Sequence, residues 1–415
     1  MLFKKLSELA TIDISNVDKK TKTGEQEVKL CNFVDVYHKW ALKDSMVDEL
    51  MSATANENQI SRFKLHSGQV AITKDSETKD DIGMAMLVDI NMPDVVLGYH
   101  CALITPDGNK LSASYLNVVL QSSYASKYFE MNASGSGQRY TLTNDIIGNF
   151  PVPMISLKEQ ESISDVFDQI NNKILTNNAI ISELEAMAKD IYDYWFVQFD
   201  FPDENGKPYK SSGGKMVWNE ELKREIPEGW KKSRFDEAFS IVMGSSPSGD
   251  SINVNNNGIV FFQGNADFGD KYPSPRTYST NPIRFANKKD VLLSVRAPVG
   301  AINISYEKCC IGRGVAAISS SHPSFAYYTV KNSYPYFDIY NQSGTTFGCI
   351  GRDELGAIPC ILPPKEVLER FEKTVGPASN NGYNLFIQNN ELTSLRDFLL
   401  PLLMNGQVKI GDVEL

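Results

Sequence analysis

Forty consecutive residues, Leu157 to Phe196, contain neither proline nor glycine and place apolar side chains at helical spacing. Such a run predicts one unbroken helix, ~60 Å long at ~1.5 Å per residue, which is more than a single compact domain needs. Its inward positions alternate by four and three: Ile163, Phe167, Ile170, Ile174, Asn177, Ile181, Leu184, Ala188, Ile191 and Trp195. That period favours pairing with a second long helix over packing on a sheet. The partner predicted is 364–404, whose weaker seam passes through Leu368, Phe371, Val375, Leu385, Asn389, Leu392, Leu399 and Leu403. Gly376-Pro377 is expected to kink it near Pro377. One antiparallel register sets Trp195 against Phe371, Leu184 against Gly382, and Asn177 against Asn389. Facing amides on a seam can lock a register, although two Asn-rich segments also align by chance.

At 415 residues the chain is past the length at which one core stops growing. Apolar content of 42% and charged content of 22% are those of a soluble globular protein. No apolar run approaches the length of a bilayer span, and the charged start, LFKKLSELA, lacks a signal-peptide core, so a cytoplasmic location is expected. Six cysteines without CxxC spacing and four scattered histidines predict no metal site and reduced, mostly buried thiols. The net charge of −10 is uneven: residues 1–155 carry 15 basic and 19 acidic groups, whereas 231–362 carry 13 and 10. The remaining acid lies on the helices and connecting segments, where it leaves faces for a protein partner.

The expected organisation is a globular α/β unit at 1–156, the central helix at 157–197, a Gly-, Pro- and charge-rich linker or surface arm at 198–230, a second globular unit at 231–363, the second helix at 364–404, and a tail at 405–415. The second half restates the first. Asn132-Ala-Ser-Gly135 recurs as Asn341-Gln-Ser-Gly344, and Asn144 to Pro151 recurs as Arg352 to Pro359 with the glycine and proline kept. GQVAIT (68–73) aligns with KDVLLS (289–294), and Val96-Leu-Gly98 with Cys310-Ile-Gly312. The fold class is therefore α/β: two repeated units separated by two long antiparallel helices and related by a pseudo-twofold.

Several stretches together are specific: ELEAMAKDIYDYWFVQFDFP (183–202), IPEGW (226–230), DVLLSVRAPVG (290–300), IGRGVAAI (311–318) and LTSLRDFLLPLLMNGQV (392–408). Through these the chain resembles the DNA specificity subunit of type I restriction-modification systems over essentially its whole length. The resemblance implies that each unit is a target recognition domain reading half of a bipartite site in double-stranded DNA. It also implies that the helices form a coiled-coil spacer docking two methyltransferase (M) subunits, that restriction/translocase (R) subunits join, and that the chain itself does no chemistry. Independently, no NPPF-like tetrad, no glycine-rich S-adenosylmethionine loop and no Walker A loop is present, so no cofactor is expected. A coiled-coil scaffold that never reads DNA is the rival from another class; it accounts for the acidic helices but not for the repeated units. A loose PD…ExK match, Pro202-Asp203 with Glu221 and Lys223, lies in a segment with no strand pattern to join the acids on one metal.

DNA readers need cations for phosphates and Arg, Lys, Asn or Gln in reach of base edges. In the second unit Gln263, Asn265, Lys271, Arg276, Arg296 and Arg313 are the candidates. Arg296 precedes an Ala-Pro-Val-Gly turn, and Arg313 is held between two glycines. In the first unit Lys74, near the position equivalent to Arg296, and Arg139 with Tyr140, after the repeated Asn-x-Ser-Gly, are the choices. For all of these the bland alternative is a solvated or locally paired side chain. Ser134-Gly135 and Ser343-Gly344 could offer backbone N–H groups to phosphate, though a repeated turn explains them as well.

Overall fold

The protein is described from a computed structural model covering residues 2–37, 39–135, 138–342 and 348–404. The chain divides into two compact units. One comprises the chain up to Thr176 together with the stretch from Asn389 onward; the other runs from Asn177 to Gln388.

In the first unit the framework is a five-stranded sheet in which Cys101–Pro106 lies between Ala10–Ile14 and Gln69–Thr73, followed by Ala85–Val88 and Ala41–Leu42. All of Gln69–Thr73 is buried. Strand geometry sends alternate side chains to opposite faces. Val70, Ile72, Ala102 and Ile104 pack with Tyr115, Leu116, Phe129 and Phe150, while Ala71, Met86 and Leu103 pack with Leu30, Val96 and Leu97. A sheet covered on both faces needs near-continuous apolar strands, which is how these runs read.

The second unit builds the same framework from different residues. Val315–Ser319 lies between Ser240–Met243 and Val291–Ser294, with Ile302–Ile304 beyond. Val291, Leu293, Ala316 and Ile318 enter one core, and Leu292, Val315 and Ala317 enter the other. Each unit also has a parallel pair beside this sheet, Gln26–Cys31 with Val95–Leu97 and Ile259–Phe262 with Cys309–Ile311. Each is closed by an antiparallel pair of strands far apart in sequence: Leu2–Lys5 with Pro151–Met154, and Lys231–Arg234 with Pro359–Leu362. The repeat detected in the sequence is thus a repeat of topology.

The central helix spans Leu157–Tyr192 and runs on through a π-turn at Asp193–Val197. Ser156 and Glu159 cap its start reciprocally: the Glu159 N–H donates to Ser156 Oγ at 3.3 Å and the Ser156 N–H to Glu159 Oε2 at 3.0 Å. The second helix, Lys365–Met404, is continuous through Gly376-Pro377, the point of the expected kink. Within the first unit, Ile163 and Phe167 share a core with Leu399, Leu400 and Leu403, and Arg396 Nη1 donates to Asn171 Oδ1 at 3.3 Å. Trp40 ties that helix to the sheet through Asp168, Nε1 to Oδ1 at 2.7 Å. Within the second unit, Trp195 lies 5.7 Å from Phe371 between ring centroids, and Asn177 Nδ2 donates to Gln388 Oε1 at 2.8 Å. Gln388 lies one position before the expected Asn389, which is itself buried. Ile174, Ile181, Leu184, Leu385 and Leu392 are half-buried.

Segment 198–230 is no free tether. Phe199, Phe201, Ile226 and Trp230 are buried in the second unit's core, and Met216–Asn219 pairs with Arg224–Pro227 as a hairpin. Its glycines and charges disguise three aromatic anchors. The Pro202-Asp203 and Glu221 pair is also structural: Asp203 Oδ1 accepts from the Asn205 and Lys207 N–H groups at 2.8 Å each, and Glu221 pairs with Lys232. Five of the cysteines are buried, and burial pushes the Cys309 and Cys360 thiols up to about 12. Ser343-Gly344 and the tail 405–415 lie outside the described residues. Among the described residues no helix is long and apolar enough to cross a membrane.

Candidate nucleic-acid interface

Strand pairing fixes which loops of the two units correspond. Cys101 pairs with Thr73, and Val315 with Ser294. The Gly98 N–H donates to the Cys31 carbonyl at 2.8 Å, and the Gly312 N–H to the Phe262 carbonyl at 2.8 Å. Hence Asn32 corresponds to Gln263, Tyr99 to Arg313, His100 to Gly314, and Asp75 to Arg296. Thr141 pairs with Asp75 as Cys349 pairs with Arg296. These loops cluster at the same end of the framework in both units, and connecting loops on a rigid scaffold are where recognition is usually placed.

In the second unit the cluster projects outward. Arg313 and Arg296 are exposed and, among the described residues, neither side chain has a hydrogen-bond or ion-pair partner. A Cβ on Gly312 would lie 2.6 Å from Gln263 Oε1 and 2.9 Å from Gln263 Cα, and one on Gly314 would lie 2.7 Å from the Gln263 carbonyl oxygen. The two glycines let the Gln263 loop press against the backbone that carries Arg313. Ser246 joins them, its Oγ donating to Gln263 Oε1 at 3.0 Å and accepting from the Arg313 N–H at 3.3 Å. The residue type of Ser246 gave no sequence signal. Asn265 is half-buried at the start of a short helical turn, Asn265–Asp267.

Two second-unit candidates are engaged by carboxylates. Lys271 is turned inward: it forms an ion pair with Glu185 of the central helix, sits 5.1 Å from the Tyr327 ring centroid, and keeps only 11% of its side chain exposed. Burial alone would raise the Glu185 carboxyl, but Lys271 and Lys331 outweigh it and hold it below its ordinary value. Arg276 is exposed, but its Nε is taken by the buried carboxylate of Asp267.

In the first unit the same loops form a cleft of about 670 Å³ rather than a projection. Lys74 points to Asp75 Oδ2 at 2.7 Å with little solvent exposure, so it is a structural cation and no free phosphate contact. Arg139 is 57% exposed, with Nη2 2.6 Å from His100 Nδ1 and 3.7 Å from Asp75 Oδ2. His100 Nδ1 is itself 2.8 Å from Asp75 Oδ2, and Thr141 Oγ1 donates to Asp75 Oδ1 at 2.5 Å. Burial works to raise the Asp75 carboxyl, yet His100, Lys74 and Thr141 together hold it below its ordinary value. Tyr140 is half-buried in a strand with Lys79 over its ring at 5.3 Å. Ser134-Gly135 pairs with Tyr140-Thr141, and a Cβ on Gly135 would meet the Arg139 carbonyl oxygen at 2.2 Å, so this glycine serves a close turn.

Sequence reasoning missed Asp75, Tyr99 and His100. The alignment of Gly98 with Gly312 placed Tyr99 opposite Arg313 and was the signal available for it. Asp75 and His100 meet only through strand pairing.

A family model of the type I restriction modification DNA specificity domain matches residues 3–186 and 227–373. A Methanocaldococcus jannaschii protein provisionally named the MjaX specificity subunit of a type I restriction enzyme is 26% identical over 360 residues, covering 85% of this chain and 81% of that protein. The HindI specificity subunit of Haemophilus influenzae is 21% identical over 394 residues, covering 80% and 85%. The crystal structure of a type I restriction-modification S subunit from M. genitalium superposes with a TM-score of 0.57 at 13% identity, covering 97% and 95%, which shows a shared fold.

Proposed function

The chain belongs to the type I restriction-modification DNA specificity family, and on that premise we propose that each globular unit reads one half of a bipartite duplex sequence through the loop cluster at its end. The observation that carries this reading is the repetition of one loop-bearing framework with different side chains at equivalent positions. That is what two readers of two different half-sites require. In the second unit Arg313, Arg296 and Gln263 are the residues proposed to meet DNA; in the first, Arg139 with Tyr140. The two long helices, paired antiparallel as a coiled coil, hold the units apart and dock two methyltransferase subunits, with restriction/translocase subunits joining the assembly in the cytoplasm. The chain carries the address, and its partners carry the chemistry.

A ~60 Å rod exceeds one helical turn of B-DNA, ~34 Å, so the half-sites are expected more than a turn apart between centres. The test is to map methylated sequences made by the complete methyltransferase complex. A two-part motif is expected. Lengthening both helices by one heptad widens the gap and leaves each half unchanged, and Arg313→Ala relaxes one position of one half, at roughly 1–3 kcal/mol for a lost bidentate base contact. An unaltered gap removes the spacer, and a complex that methylates without any motif leaves only the scaffold.

A further inference from the structure

The first unit's cleft is acidic where a phosphate reader would be basic. Asp75, Glu77 and Asp81 line it together with His100 and Arg139, and the Tyr37 hydroxyl is bonded to Asp81. Three carboxylates repel a phosphodiester but tolerate an uncharged base edge. The guanidinium is also held in place: His100, its ring centroid 3.7 Å from that of Tyr99 and tilted 44° to it, lies beside it, and Asp75 lies beneath both. A phosphate contact needs charge and little orientation, whereas a base contact needs a fixed fork. Among the described residues His100 and Asp75 engage one end of the fork, and the side chain stays largely exposed, so further N–H donors face outward for a ligand.

We propose that Arg139 reads a guanine in the half-site of the first unit, through the paired O6 and N7 acceptors of the major-groove edge, and that Asp75 and His100 are the positioning residues that aim it. The proposal rests on the reading of this chain as a DNA specificity subunit. It assigns the contact to a base rather than a phosphate and names the base. In the second unit Gly314 stands where His100 stands and Gly264 follows Gln263 where Phe33 follows Asn32, so the equivalent positions lack the side chains that wall this cleft.

The experiment uses the full chain in its methyltransferase complex and reads every position of the motif by methylation mapping. Arg139→Lys keeps the charge and loses the fork. Relaxation at a single guanine of one half-site, ten-fold or more, with the other half-site unchanged, is expected. Asp75→Asn is expected to relax the same position. The proposal is overturned if Arg139→Lys keeps the wild-type motif, if it weakens all sites uniformly as a lost phosphate contact does, or if the wild-type half-site contains no guanine. A wild-type complex without a bipartite motif overturns the specificity reading instead.

Discussion

At one structurally equivalent place the first unit has Asp75, sunk beneath Lys74, His100, Arg139 and Thr141, and the second unit has Arg296, whose side chain is exposed and, among the described residues, has no hydrogen-bond or ion-pair partner. The strands on either side superimpose in topology, residue for residue in their pairing. The framework therefore does not dictate the sign of charge at its tip. A buried strand pair fixes the backbone, and the tip residue is free to vary because nothing in the core depends on it. The first unit has nonetheless tied its tip into its fold, while the second has not.

That contrast predicts different costs. Asp75→Ala leaves Lys74 and His100 facing a vacated, mostly buried site. It is expected to destabilise the first unit by about 3 kcal/mol, the low end for a broken buried pair because Arg139 keeps solvent. Hydrogen exchange of Gln69–Thr73 would read this, and unchanged protection there would refute it. Glu185→Gln is the nearest analogue in the second unit, stranding Lys271. A similar loss, about 2–3 kcal/mol, is expected to speed exchange in Ala188–Tyr192 and to leave the first unit alone.

Gly312→Ala is the next smaller effect. The clash with Gln263 Oε1 and Cα predicts about 1–3 kcal/mol of overpacking. Gly98→Ala costs less, because its closest neighbour, Asn32 Cα, is 3.2 Å away. Equal losses in urea unfolding would show that the two loops are not pressed together differently. Arg296→Ala is expected to stay within about 0.5 kcal/mol of wild type in stability while losing preference at one base of one half-site; a lowered unfolding midpoint would mean that the side chain supports the fold.

Acid sharpens the same comparison. Asp75 and Glu185 are both held below their ordinary values of 3.8 and 4.5. The unfolded chain therefore binds protons first as pH falls, so the stabilisation is fully present above those ordinary values and is lost as pH drops through the lowered folded ones. In fluorotryptophan NMR, Trp40 reports the first unit and Trp195 the second. Glu185→Gln is expected to flatten the acid response at Trp195 without moving that at Trp40.

Much of this was legible in the sequence, and the illegible parts have a common cause. The long helices were readable because seam spacing is a local property: Ile163, Phe167, Trp195 and Phe371 are buried where the period put them. The repeat was readable because Gly98 and Gly312 answer the same close approach to a preceding strand. The inward turn of Lys271 was not legible because its partner, Glu185, lies 86 residues away. Asp75 and His100 were overlooked because an antiparallel pairing, not proximity in the chain, unites them. Segment 198–230 read as either a linker or a surface arm because composition averages over Phe199, Phe201 and Trp230, the three aromatic residues buried in the core.

The antiparallel closure of each unit carries a last consequence. Leu2–Lys5 beside Pro151–Met154, and Lys231–Arg234 beside Pro359–Leu362, bring the two ends of each reading module to neighbouring points. A module stitched in at adjacent points can be cut out and replaced by another of different lettering without restringing the helices. Such a protein can change its vocabulary by exchange of whole cassettes as well as by drift of single residues.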